Sequence, residues 1–151
     1  MEAYTQLLYY LKALGDADDY INTVTKDGDD LDLDKGIVYP LLDISINAGS
    51  FPSTSVVRFN VQLSCLSVRD INNEVTADKF WDQDNEVDNH NETFASLYRM
   101  WVIMARNFED LNITASEAPT IDKITYSGKN LLDGWALTFD VDLPYTNVNL
   151  C

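Results

Sequence analysis

Three aspartates, Asp30, Asp32 and Asp34, stand two residues apart within DGDDLDLDKG, residues 27–36. Carboxylates at i, i+2 and i+4 open a calcium-binding EF-hand loop, where their hard oxygens would wrap the ion. The remainder of that loop is missing. The sixth position needs a glycine for its sharp turn and holds Lys35, with Gly36 one place late. The twelfth needs a bidentate glutamate and holds Leu41. The flanks read as strands rather than helices. The run is therefore a solvated acidic turn, or an edge strand whose Leu31 and Leu33 alternate with aspartates offered to a neighbour's basic groups.

Other reactive residue types are sparse. His90 is the sole histidine and lies near Glu86, Asp88 and Glu92. One helix turn brings Glu86 and His90 together, but a zinc site needs more ligands, and a polar, exposed helix start explains the cluster better. Cys65 falls on the apolar phase of a strand, where thiols behave as small hydrophobes. No GxSxG, P-loop or GxGxxG occurs, and no Ser-His-Asp set can be assembled around His90. The expectation is a protein without catalytic residues, metal or cofactor.

Composition bounds the partners. The 151 residues suit one domain, 1–151, and the net charge is −15. That sign opposes binding to phosphate backbones and to anionic membranes. It remains compatible with a protein past which DNA slides without sticking. No run of eighteen apolar residues is present, and the start lacks the basic and small-residue features of a signal peptide. The sequons at Asn91 and Asn112 then carry no glycan message. With only Cys65 and Cys151, a reducing interior is expected.

The elements that must position these residues follow from periodicity. Tyr4, Leu7, Leu8, Leu11 and Leu14 predict a short helix stopped by Gly15. Strands are expected at 20–26, 37–46 and 56–68; in the last, Val57, Phe59, Val61, Leu63 and Cys65 share one face. Residues 47–55 read as a loop and 69–83 as irregular. A long helix over about 84–108 carries Phe94, Leu97, Trp101, Met104 and Phe108 as its stripe. A hairpin closes the pattern, 121–127 with 135–145, joined through GKNLLDG. The fold class is α+β, a mainly antiparallel sheet of about five strands with both helices on one face. Trp101 and Trp135 sit on inward phases; Trp81, beside Phe80, suits an interface instead.

Taken together, VTKDGDDLDLDKGIVYPLLDISI, FWDQDNEVDNHNETFASLYRM, LLDGWALTFDVDLP and the final Cys151 resemble the small tail-completion or neck proteins of tailed bacteriophages, notably those of crAss-like and related Bacteroidetes phages. The order of elements is also similar to that of tail-terminator proteins. This resemblance implies a structural virion protein, made in the bacterial host cytoplasm. Six or twelve copies would form a ring between portal or connector and tail, with DNA passing through the lumen. Its partners would be further copies of itself and other neck, portal or tail proteins. Subunit contacts or the lumen are then expected among 27–36, 47–55 and 69–83, with Asp27, Asp29, Asp30, Asp32, Asp34, Lys35, Phe51, Phe80 and Trp81 as the residues involved. The rival reading is a monomeric acidic binding module, a DNA mimic or host-enzyme inhibitor.

Overall fold

Leu7, Leu11 and Leu14, spaced four and three apart, place one stripe of a helix against a sheet, and all three are buried. They belong to α1 (Ala3–Ala17), the first element in the computed structural model, which describes residues 2–28, 38–69, 80, 85–107, 114–115, 118–127 and 132–144. Gly15 does not stop this helix as expected; it lies inside it. A Cβ there would sit 2.7 Å from Leu42 Cδ2 and 3.0 Å from Val24 Cγ2, so the missing side chain lets α1 approach the sheet closely. The helix ends where Asp18 turns to extended backbone.

The strands are β1 (Thr23–Lys26), β2 (Leu41–Ser53) and β3 (Val56–Val68), then, after α2 (Glu86–Asn107), β4 (Thr114–Ala115), β5 (Thr120–Ser127) and β6 (Leu132–Pro144). The fold is α+β, as the periodicity implies. The sheet is mainly antiparallel, as expected, with six strands among the described residues where about five were expected, and one of its pairings is parallel. β1 runs parallel to β2, while the β2–β3, β3–β6, β4–β6 and β5–β6 pairings are antiparallel. Pro40 precedes β2 instead of lying within it, which spares the ladder a missing N–H. Residues 47–53, read as loop, continue β2, and only Thr54 and Ser55 turn the chain into β3.

Alternation decides which side is covered. Leu42 and Ile44 align with Cys65 and Leu63 across β3, and these with Trp135 and Leu137 on β6, so one face carries the apolar set. α1 and α2 both lie on that face. Leu97, Met100 and Met104 of α2 join Leu7, Leu11, Val61, Leu63, Phe139 and Val141 in one core. Each large side chain buried there contributes about 1.5–3 kcal/mol. A smaller cluster, Leu41, Leu66 and Leu132 with Tyr39 and Ile124, sits on the opposite face near one end.

The stripe of α2 is rotated from the predicted one. Its buried residues include Asn89, His90, Thr93, Ser96, Leu97, Met100 and Met104, whereas Phe94 is half-exposed. Polar residues can occupy this face because each finds a partner. Thr93 Oγ1 donates to the Asn89 carbonyl at 2.6 Å, and Asn89 Nδ2 to the Val68 carbonyl at 3.1 Å. Glu86 and Asp88 in the first turn and Arg106 in the last complement the helix dipole. No helix among the described residues is long and apolar enough to cross a membrane.

Candidate functional site

His90 is not the exposed residue that its acidic neighbours suggested. It is buried, its Nδ1 lies 3.2 Å from Glu86 Oε1, and its Nε2 donates to the Ile124 carbonyl at 2.9 Å. Its own carbonyl accepts from Trp135 Nε1 at 2.9 Å, and the two rings meet edge to face. Lys123 Nζ is 3.4 Å from the same Glu86 oxygen. The Glu86–His90 pair lies within α2, and the other contacts join that helix to β5 or β6, so the cluster positions the helix on the sheet. Among the described residues, no three of His, Cys, Asp and Glu converge as a metal site would require.

A second polar group lies where α1 meets α2. Ser96 Oγ donates to Asp18 Oδ1 at 2.9 Å, Arg99 Nη2 reaches it at 3.1 Å, and the Tyr20 N–H at 3.0 Å. Burial alone would raise the Asp18 carboxyl; the hydrogen bonds from Arg99, Tyr20 and Ser96, with the Arg99 charge, outweigh it and hold the group below its ordinary range. Cys65 lies beside this group. Burial first, then the Asp18 charge, pushes its thiol up to about 12, which leaves it an inert core residue as its strand phase implied. Burial also raises the Tyr20 phenol.

A carboxylate lowered in the folded state adds stability that is present above its unfolded value, about 3.9, and is lost as pH falls through the folded value. Asp18→Asn is therefore expected to cost about 1.5–3 kcal/mol near neutrality. The gap between variant and wild type should close on acidification below about pH 4. Urea unfolding at a series of pH values measures this. A gap that stays constant into the acid range would show that the Asp18 charge adds nothing.

The residues expected at subunit contacts divide into three groups. Asp27 is exposed in a turn where it and Gly28 have φ values of 59° and 65°. Asp43, buried on β2, fastens this turn: its Oδ1 accepts the Gly28 N–H at 2.9 Å and the Thr25 hydroxyl at 2.8 Å. Asp29, Asp30, Asp32, Asp34, Lys35 and Trp81 lie outside the described residues. Phe51 is 82% exposed near the end of β2, and Phe80 is also exposed.

Phe51 belongs to the most distinctive surface. β1 covers β2 only from Leu41 to Ile44, and beyond it β2 and β3 continue as a hairpin. Residues 47–55 are all exposed. Phe51 lies with Tyr4, Phe59 and Val57 along a shallow groove at the start of α1, and Tyr4 and Phe59 stack edge to face at 6.0 Å. A signal for this hairpin was available in the sequence. From Ile44 to Val57, fourteen residues carry no charge, the longest such run in the chain.

The sheet face away from the helices has a different chemistry. Ser45, Gln62, Thr138 and Thr120 align in one row across it, and Asn60 and Asp140 in the next, joined by a 3.0 Å hydrogen bond. Arg58 then holds Asp142 through two bonds of 2.7 and 3.0 Å. Among the described residues, Asp122, Asp140 and Asp142 share this face with Arg58 as its one cation, which leaves it acidic. The arrangement offers a strand edge, an exposed Phe51 near the end of β2 and a polar wall among the described residues.

No protein-family model matches the chain, and no curated protein matches it.

Proposed function

We propose that this chain is a structural, non-enzymatic subunit of the neck or tail of a tailed bacteriophage, similar to tail-completion or tail-terminator proteins. Six or twelve copies form a ring that joins the portal or connector to the tail, and DNA passes through the lumen without specific binding. The observation that carries this reading is the β2–β3 hairpin, whose nine residues 47–55 are exposed and which bears Phe51 at 82% exposure. An isolated domain gains nothing from holding a long uncharged hairpin in water, whereas a subunit buries it against its neighbour. The acidic face, on which no described helix packs, suits a lumen wall, because like charge repels the DNA backbone and keeps it from adhering.

Size-exclusion chromatography with light scattering, followed by negative-stain microscopy of the concentrated protein, tests this directly. Self-association into closed rings is expected. A protein that stays monomeric at the highest attainable concentration, and also when mixed with purified portal–connector particles, would displace this reading in favour of the acidic binding module.

A further inference from the structure

We infer that the subunits join by sheet continuation: the free upper edge of β2, Ser45–Ser53, pairs with the outer edge of β5 on the next copy. This deepens the ring reading and rests on it.

The first support is that both edges are open among the described residues. Among the described residues no strand pairs with β2 beyond Ile44 on the side of β1, and β5 has β6 as its one neighbour. Unpaired backbone donors and acceptors in a row form a template for another strand.

Charge is the second. Two copies of a chain with net charge −15 repel each other, so contact costs least where charge is absent. Natural edge strands are guarded by charged side chains, lysine above all. β2 carries none from Ile44 onward, although Asp43 and Arg58 bound the run on either side. On β5, the exposed Asp122 and Lys123 are of opposite sign and adjacent, so that edge adds no net charge to the contact.

Direction is the third. β3 is antiparallel to β2, β6 to β3 and β5 to β6, so β5 runs opposite to β2. Copies related by rotation about an axis roughly along the strands keep their strand directions. β2 of one copy therefore meets β5 of the next in antiparallel fashion, the commoner pairing. The same operation keeps every helix-covered face outward and turns every face bearing Asp122, Asp140 and Asp142 inward.

The register adds a constraint. Through β3, the free part of β2 lies level with β6 from Thr138 to Pro144, whereas β5 lies level with Thr138 down to Leu132. The centres differ by six residues, roughly 20 Å at 3.4 Å per residue. Joining them displaces each copy along the strands of its neighbour, which is the stagger that a closed sheet with tilted strands requires.

Cysteine pairs test the contact. In a Cys151→Ser background, Ser45→Cys, Ala48→Cys or Ser50→Cys on β2 is combined with Thr120→Cys or Asp122→Cys on β5; all five positions face the uncovered side. Cys65 is buried and stays silent. After mild oxidation, at least one pair is expected to give a covalent ladder on a non-reducing gel, ending at the ring number, while the single variants stay monomeric. Dimers from a β2 variant alone would indicate a symmetric β2–β2 contact and overturn the inference. Rings visible by microscopy with no ladder from any pair would also overturn it, leaving the ring reading intact. Absence of any self-association, with or without cysteines, would remove the ring reading itself. Circular dichroism of each variant establishes that it is folded.

Discussion

Replacing Asp133 with alanine is expected to destabilise the fold by about 3–5 kcal/mol, the usual cost of breaking a buried ion pair from one side. Asp133 is fully buried, and Arg69 accompanies it with 9% of its side chain exposed. Both guanidinium contacts are 2.8 Å, one to each carboxylate oxygen. This bidentate geometry satisfies both groups where water cannot. Removing the carboxylate takes a buried counter-charge from the guanidinium in a low-dielectric site, a larger penalty than the loss of an attraction. The double replacement Arg69→Met with Asp133→Leu should recover most of the stability, because it removes both charges together. Urea unfolding near neutral pH measures both variants. A single variant that loses less than about 1 kcal/mol, the scale of an exposed pair, would show that water reaches the site.

The second large effect is expected one residue later. At Gly134 a Cβ would stand 1.9 Å from the Cys65 carbonyl oxygen and 2.9 Å from its carbon, with Leu66 Cα at 3.1 Å. These are backbone atoms of the neighbouring strand, so no side-chain rotation relieves the clash; β3 and β6 would have to separate. Gly134→Ala should cost about 3 kcal/mol or more. For a chain of this length that lowers the thermal midpoint by roughly 6–12 °C. Gly49→Ala serves as the control, because its Cβ would meet Phe59 ring atoms at 3.5 and 3.6 Å and the Arg58 carbonyl oxygen at 3.8 Å, all ordinary contacts. A wild-type midpoint for Gly134→Ala would mean that the strands can part at little cost.

Both residues lie in the stretch GKNLLDG, which read from sequence as the turn of a hairpin. Glycine beside aspartate is ordinary turn chemistry. Here the strand begins earlier, at Leu132, and the same two residues do unrelated work: one neutralises a buried cation and the other admits a neighbouring strand. Nothing local separates the two readings. The deciding facts, the position of Arg69 just after β3 and the approach of the Cys65 backbone within it, come from more than sixty residues away in the chain.

The candidate assembly surface was legible in part. Phe51 is expected at a surface because it lies in the connection 47–55, and it is exposed. Its setting was misjudged, because Gly49 and Pro52 signal a loop when considered singly. Pairing with β3 overrides that signal and extends β2 to Ser53, with register shifts at Ile46–Ala48 and Ser50–Ser53 absorbing the irregular residues. The acidic run 27–36 is described only at its first two residues, where Asp43 holds the turn.

By itself the sequence determined the elements whose periodicity is self-sufficient. Strict alternation over Val57–Cys65 and Trp135–Leu143 commits two strands to one buried face, and the leucines of 7–14 commit a helix to cover it. Burial of an apolar stripe depends only on spacing along one segment, so one segment reveals it. Only the tertiary structure decided the parallel β1–β2 pairing, the burial of His90, the Arg69–Asp133 pair and the length of the exposed hairpin. Each depends on which distant segment lies opposite. A polar residue is exposed or buried according to whether a partner arrives, and a turn-forming residue is loop or strand according to whether its neighbour offers hydrogen bonds.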